Sequence, residues 1–143
     1  MTQLTEHFSL EEMTRSEWAQ KHRVRNIPNL TQIAALQHLC ITVLEPLRRQ
    51  FGPIRINSGF RCERVNAGVH GVGNSRHLYG EAADIHVPDR ATARRYFLFI
   101  RDHCNVDQLI FEYNSAGARW LHVSTRLDEI DNRHQYIFNL PAV

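Results

Sequence analysis

Ser75-Arg76-His77-Leu78-Tyr79-Gly80-Glu81-Ala82-Ala83-Asp84-Ile85-His86-Val87 is the stretch from which the architecture is most directly read. From Ala82 to Val87 the residues alternate, so a strand turns Ala83, Ile85 and Val87 to one face and Asp84 and His86 to the other. The apolar face belongs to a core. Downstream, Arg119 to Ser124 behaves in the same way, with Leu121 and Val123 inward and Trp120, His122 and Ser124 opposite. Two strands of one sheet then offer a carboxylate and imidazoles from their polar faces, and His77, just before the Tyr79-Gly80 bend, can fold over them.

Outward from this stretch, Gly59 to Gly80 contains five glycines and little periodicity, and it reads as one long loop. Loops of that length in a compact domain are usually functional or disordered. Ile54 to Ser58 alternates and reads as a strand. Further upstream, Ile33, Leu36, Cys40, Leu44, Leu47 and Phe51 recur on one helical face, which Gly52-Pro53 ends. Pro46 has no amide to donate and predicts a bend or the last turns of that helix. Ser9 and Glu12 make a capping box before a short helix over about 10–19, and Ile27-Pro28-Asn29 separates the two helices. After Val87, Asp89 N-caps a helix reaching His103, with Ala93, Tyr96, Phe97, Ile100 and Cys104 on its apolar face. Gln108 to Tyr113 and Arg119 to Ser124 form a hairpin around Asn114-Ser115-Ala116-Gly117, and His134 to Leu140 adds an edge strand.

The 143 residues have the length of one ordinary domain, and 43% hydrophobic residues exclude a disordered chain, so residues 1–143 read as a single domain. Three cysteines, Cys40, Cys62 and Cys104, are odd in number and lack CxxC spacing, which argues for reduced thiols over a disulfide framework. A net charge of +2 is too small to make nucleic acid the default partner. Lys21 is the one lysine, so nearly all the cations are arginines, the side chain suited to forked recognition of carboxylates or phosphates; a peptide carboxylate is one such partner. Met1 to Leu10 has no basic segment followed by an apolar one, and the uninterrupted apolar stretches are short. No membrane span is expected, the chain is expected to be a monomer, and synthesis in the cytoplasm with phage-borne or secretory delivery follows if the substrate lies outside.

Two imidazoles and one carboxylate suit tetrahedral zinc with one position left for water. Zinc lowers the pKa of such a water to about 7 and polarises a carbonyl, so His77, Asp84 and His122 point to metal-assisted hydrolysis with one zinc ion.

The run Ser75-Arg76-His77-Leu78-Tyr79-Gly80-Glu81-Ala82-Ala83-Asp84-Ile85, followed by Trp120-Leu121-His122-Val123-Ser124, resembles the peptidase M15 family of zinc D-Ala-D-Ala peptidases, whose motifs are SxHxxGxAxD and a late WxH. Ile56-Asn57-Ser58-Gly59-Phe60-Arg61-Cys62-Glu63-Arg64-Val65-Asn66 matches the SGYR and VN segment of its small phage and bacterial cell-wall branch. The resemblance runs from about Leu4 to Ser124. It implies an α+β fold of the Hedgehog/D-Ala-D-Ala peptidase type, with a small antiparallel sheet flanked by helices. It also implies His77, Asp84 and His122 as zinc ligands, Arg61 as the arginine that holds a substrate carbonyl or carboxylate, and Ser75 as support for the metal-site loop and a substrate contact. The implied substrate is the stem peptide of bacterial peptidoglycan, cut as a carboxypeptidase or an endopeptidase.

The sequence departs from the better-known branches at the general base. They carry Glu, Asp or His two or three residues before the last zinc histidine, where this chain has Trp120 and Arg119. Glu112 on the neighbouring strand is the candidate substitute. If Tyr113 pairs with Ala118, Glu112 lies opposite Arg119 and away from His122; if Tyr113 pairs with Arg119, Glu112 lies opposite Trp120 on the His122 face. The second register is expected, and an ion pair with Arg119 is the plain alternative. Trp120 and His86 are read as site-lining residues, and His70 as a loop histidine within reach of substrate. The rival to a peptidase is a catalytically silent zinc-binding module that recognises a wall peptide or a protein.

Overall fold

The computed structural model describes residues 1–138. Its sheet has five strands: β1 (Ile56–Ser58), β2 (Ala82–His86), β3 (Gln108–Tyr113), β4 (Arg119–Ser124) and β5 (Gln135–Phe138), in the spatial order β1-β2-β4-β3-β5. β1, β2, β4 and β3 pair antiparallel, whereas β5 runs parallel to β3. The α+β architecture is as expected, and the edge strand makes the sheet mixed. The reason is the path of the chain: it leaves β4 at Ser124, beside Gln108 at the start of β3, and Gln135 then pairs with that same Gln108. A strand that enters beside the start of β3 and continues along it runs in its direction. Asn139 and Leu140, the end of the expected edge strand, lie outside the described residues.

Alternation along the strands sorts the two faces. Ala83, Ile85, Leu109, Phe111, Leu121 and Val123 are fully buried on one face, and each of the larger side chains among them contributes roughly 1.5–3 kcal/mol by leaving water. Against them packs α6 (Arg90–His103), N-capped by Asp89, whose carboxylate accepts from Thr92 N at 2.7 Å; Ala93, Tyr96, Phe97 and Ile100 form its buried side.

The same core takes the helical stretch Leu30–Phe51. Asn29 and Gln32 cap its first part, α3 (Leu30–Leu39), reciprocally. Pro46 does not end it. A single π turn over Cys40–Leu44, in which Glu45 N reaches back five residues to Cys40 O, leads into α4 (Glu45–Phe51) and accommodates the amide that Pro46 lacks. The stretch is 22 residues long and, by length and composition alone, apolar enough for a membrane span, although its uninterrupted apolar runs are short. Here Leu36, Leu39, Cys40, Val43, Leu44 and Leu47 are fully buried in the core.

Two expectations are corrected. The helix expected over 10–19 is two helices, α1 (Leu10–Thr14) and α2 (Glu17–Lys21), because Ser16 is itself an N-cap whose Oγ accepts from Ala19 N. The glycine-rich stretch is not one loop: it contains α5 (Glu63–Gly68) and a 3-10 turn over Arg76–Tyr79. Cys62 gives α5 no side-chain cap. Its end is set by packing, since Gly68 lies so close to the Trp18 indole of α2 that a Cβ there would overlap the ring.

Candidate metal centre and its cavity

Asp84 of β2 and His122 of β4 are directly opposite each other across an antiparallel pair, both on the face turned away from the core. His122 Nδ1 lies 3.0 Å from Asp84 Oδ1, and His77 Nε2 lies 3.2 Å from the same oxygen. One donor atom from each of the three residues falls within 4.8 Å of the other two. Zinc–ligand bonds of roughly 2.0–2.1 Å in a tetrahedron place ligand atoms about 3.3 Å apart, so both short separations suit a shared ion. The donor chemistry fits as well. His77 Nδ1 donates to Gly59 O at 2.7 Å, so a neutral His77 presents only a lone pair at Nε2 to the Asp84 carboxylate. Two facing lone pairs call for a cation between them, either a proton or a metal ion. Burial pushes the Asp84 carboxyl up, but with a proton in that gap the neighbouring His77 charge and the hydrogen bonds from His122 and His77 outweigh this and hold it well below the usual carboxylate range. Asp84 is therefore an anion poised for a cation.

The turn that carries His77 is built by its neighbours. Ser75 Oγ accepts from His77 N at 3.2 Å and starts the turn, and Gly80 ends it with φ +71°. A Cβ on Gly80 would also collide with the Gln32 carbonyl of α3. Gln32 Nε2 donates to Leu78 O at 3.1 Å, so α3 grips the turn from outside. Ser and Gly in the quoted stretch thus have structural duties at either end of the turn, and His77 is 2% exposed between them. Ser75 also borders the cavity over the metal residues.

Arg61 is engaged at every nitrogen: Nε donates to Ser58 Oγ at 3.0 Å, Nη1 to Asn66 Oδ1 at 3.2 Å, and Nη2 to Asp84 Oδ2 at 3.3 Å. Its backbone N donates to His77 O at 3.0 Å. Burial lowers its pKa while Asp84 and Glu112 raise it, and a guanidinium stays charged throughout. Ser58, Gly59 and Asn66, which no role was read for in the sequence, therefore support the centre; they stood inside the Ile56–Asn66 motif that could have announced them.

A cavity of about 560 Å³ opens over His77, Asp84 and His122. Tyr113 pairs with Arg119 and Glu112 with Trp120, so the five-residue loop holds and Glu112 shares the face of His122. Trp120 Nε1 donates to Glu112 Oε2 at 2.7 Å, and both residues border the cavity. Among the described residues Glu112 makes no ion pair with Arg119. His70 borders the cavity too, on a left-handed backbone with φ 61°. His86 does not: it is exposed at the end of β2, opposite Trp120, and lies outside the cavity lining. Alternation alone put it beside Asp84. Two residues farther along, a strand has moved about 7 Å, and on this row it is Trp120 of β4 that borders the cavity.

The far end of the cavity was not anticipated. Asp107, fully buried, accepts from Arg133 N (2.9 Å), Nε (3.0 Å) and Nη2 (2.9 Å), and from Arg126 Nε at 3.4 Å. Burial raises its pKa, but these bonds and charges outweigh it and bring it down to about 2. Arg126 and Arg133 border the cavity. Asp107 stands apart in sequence from Arg126 and Arg133, which share the connection between β4 and β5, and the three carry no motif. The three cysteines are free thiols, as expected.

The family described as Peptidase M15 matches residues 6–124 of this chain. Over 44 residues the chain is 48% identical to the zinc D-Ala-D-Ala carboxypeptidase of Streptomyces albus G, a match covering 29% of this chain and 17% of that protein.

Proposed function

Because this chain belongs to the peptidase M15 family, we propose that it is a zinc-dependent peptidase of the D-amino-acid-containing stem peptides of bacterial peptidoglycan, with His77, Asp84 and His122 holding the metal. The observation that carries this reading is the convergence of three donor atoms within 4.8 Å at the floor of an open cavity. Zinc bound there supplies a Lewis acid for the scissile carbonyl and an acidified water at neutral pH. The chain's own residues do the rest. Asp84 is oriented by Arg61 and neutralises the ion's charge, and Gly59 O fixes the tautomer of His77. Glu112, on the strand row next to the His122 row, takes the proton from the attacking water and returns it to the leaving amine. Trp120 holds the Glu112 carboxylate in place through its indole N–H. Arg61, whose Nη1 and Nη2 each keep one N–H beyond the bonds to Asn66 and Asp84, and Ser75 border the cavity and present polar groups to the substrate peptide.

A second reading is a zinc-binding module that recognises wall peptides without cutting them. What favours it is the sequence before His122, where Arg119 and Trp120 supply no acid or base. Mass spectrometry of defined wall peptides, incubated with zinc-loaded protein and with a chelator-treated control, separates the two. Zinc-dependent loss of D-Ala, or an internal cut, supports the peptidase and names its bond. Stoichiometric zinc with intact peptides supports the module. His122→Ala is expected to lose both metal and cleavage; retained cleavage would overturn the assignment.

A further inference from the structure

We infer that Arg126, braced with Arg133 on the buried Asp107, forms a carboxylate-binding subsite at the end of the cavity, where it receives a carboxylate of the peptide substrate close to the bond that is cut. The inference rests on the peptidase reading above and names the substrate chemistry that this end of the cavity selects.

Asp107 and Arg133 have a sufficient structural duty. The chain turns beneath β3 here, Gln135 N donates to Asp107 O at 2.9 Å, and the Asp107 carboxylate ties Arg133 by three bonds. One bidentate arginine satisfies that carboxylate. Arg126 adds a second cation to an anion already paired, so the trio carries a net positive charge. Its backbone is fixed by Arg126 N donating to Asn132 Oδ1 at 2.7 Å, and its Nε rests on Asp107 Oδ2 at 3.4 Å. Nη1 and Nη2 have no hydrogen-bond partner among the described residues, although the side chain is only 25% exposed and borders the cavity. This is a held guanidinium with its outer fork unspent, the donor geometry that a carboxylate takes in two parallel bonds.

The other arginines at the cavity are more fully committed. Each nitrogen of Arg61 already meets Ser58, Asn66 or Asp84. Arg76 pairs with Glu81 at 3.2 Å and lies over the Tyr79 ring. Position also favours Arg126. Across the β3–β4 pair, Glu112 and Trp120 form one row, Ile110 and His122 the next, and Gln108 and Ser124 the third, with Arg126 following Ser124 by two residues. Rows on one face are about 7 Å apart. The metal residues thus stand between an acid on one side and a pair of arginines on the other. A peptide laid with its scissile carbonyl over the centre row reaches Glu112 with one flank and Arg126 with the other. Two carboxylates satisfy this geometry: the C-terminal carboxylate of a peptide trimmed at its end, and a side-branch carboxylate of a peptide cut internally.

The test uses the zinc-loaded protein and two peptide pairs: diacetyl-L-lysyl-D-alanyl-D-alanine with its C-terminal amide, and L-alanyl-γ-D-glutamyl-L-lysine with its isoglutaminyl amide. Binding is measured at low temperature by ligand-observed NMR, and cleavage is followed in the same samples by mass spectrometry. The wild type is expected to bind the carboxylate member of one pair about tenfold more tightly than its amide. Arg126→Gln brings that ratio to about one, and Arg126→Lys retains part of it. The pair that shows the preference identifies the carboxylate as terminal or side-branch. Equal binding within both pairs in the wild type, or a preference that survives in Arg126→Gln, overturns the inference. An Arg126-dependent preference without cleavage keeps the subsite and removes the peptidase reading, while cleavage without that preference does the reverse. Should Arg126→Gln fold poorly, the wild-type ratio and the Arg126→Lys variant still decide.

Discussion

Replacing Gly80 by alanine tests how the turn that carries His77 is built. Gly80 closes the turn that holds His77 with φ +71°, and a Cβ there meets the Gln32 carbonyl, a backbone atom of α3 that cannot rotate away. The left-handed backbone costs an alanine roughly 1–2 kcal/mol, and forcing a methyl against packed backbone adds roughly 1–3 kcal/mol. With an unfolding entropy of about 2.1 cal/mol/K per residue, a chain of this length loses about 0.3 kcal/mol/K at its midpoint, so Tm falls by about 7–17 °C. Two other glycines separate the contributions. Gly117 has φ +88° and nothing within 4 Å, so Gly117→Ala carries the backbone cost alone, a drop of about 3–7 °C. Gly73 has open space and no positive φ, and Gly73→Ala is neutral or slightly stabilising. Calorimetric melting of the three variants orders them, and competition against a zinc chelator is expected to show about 10–100-fold weaker metal affinity for Gly80→Ala only. If Gly80→Ala melts no lower than Gly117→Ala and keeps its zinc, the grip of α3 on the turn is not what positions His77.

Glu112→Gln is expected to retain stoichiometric zinc and to lose about 10²–10⁴-fold in kcat, read by single-substrate kinetics and metal analysis; unchanged cleavage removes Glu112 as the proton carrier. Trp120→Phe keeps an aromatic wall but deletes the N–H that holds Glu112, so kcat falls by roughly tenfold with little change in metal content; equal rates would show that Glu112 needs no such hold. Asp107 supplies the pH dependence. Its folded-state pKa of about 2 lies below the ordinary value of 3.8, so the stability it contributes is complete above about pH 4 and is lost as the pH falls through 2. Asp107→Asn takes the charge from a fully buried acceptor whose two arginines are partly exposed, and costs about 1.5–3 kcal/mol near neutrality. The difference in Tm between wild type and variant should shrink below pH 4, and a constant difference down to pH 2 contradicts the ion-pair account.

Much of the fold follows from local pattern. Alternation in 82–87, 108–113 and 119–124 placed the central strands, and Asp89 started α6 where its side chain meets Thr92 N. The errors have local causes as well. Ser16 is a second start signal inside what read as one helix; Pro46, by contrast, sits in the last turns as expected, entered through a π turn. α5 has no cap and no periodicity to announce it, because packing against Trp18 maintains it.

For the site, the sequence by itself determined the donor types and their faces: a period of two puts Asp84 and His122 on polar faces of their strands, and the Ser75 and Gly80 motif positions bracket a turn around His77. Only the tertiary structure decided register and convergence. Asp84 meets His122 because β2 and β4 pair at that row, and Glu112 joins their face because the hairpin loop has five residues, where four would have turned it away. His86 shows the same limit in reverse, since a shared face does not bring a side chain to the same cavity. Asp107, Arg126 and Arg133 are brought together by the crossing of the chain beneath β3. A short-range pattern carries information over a few residues, whereas a salt-bridge cluster drawn from two segments on either side of the β3–β4 hairpin exists only after the sheet has closed around it.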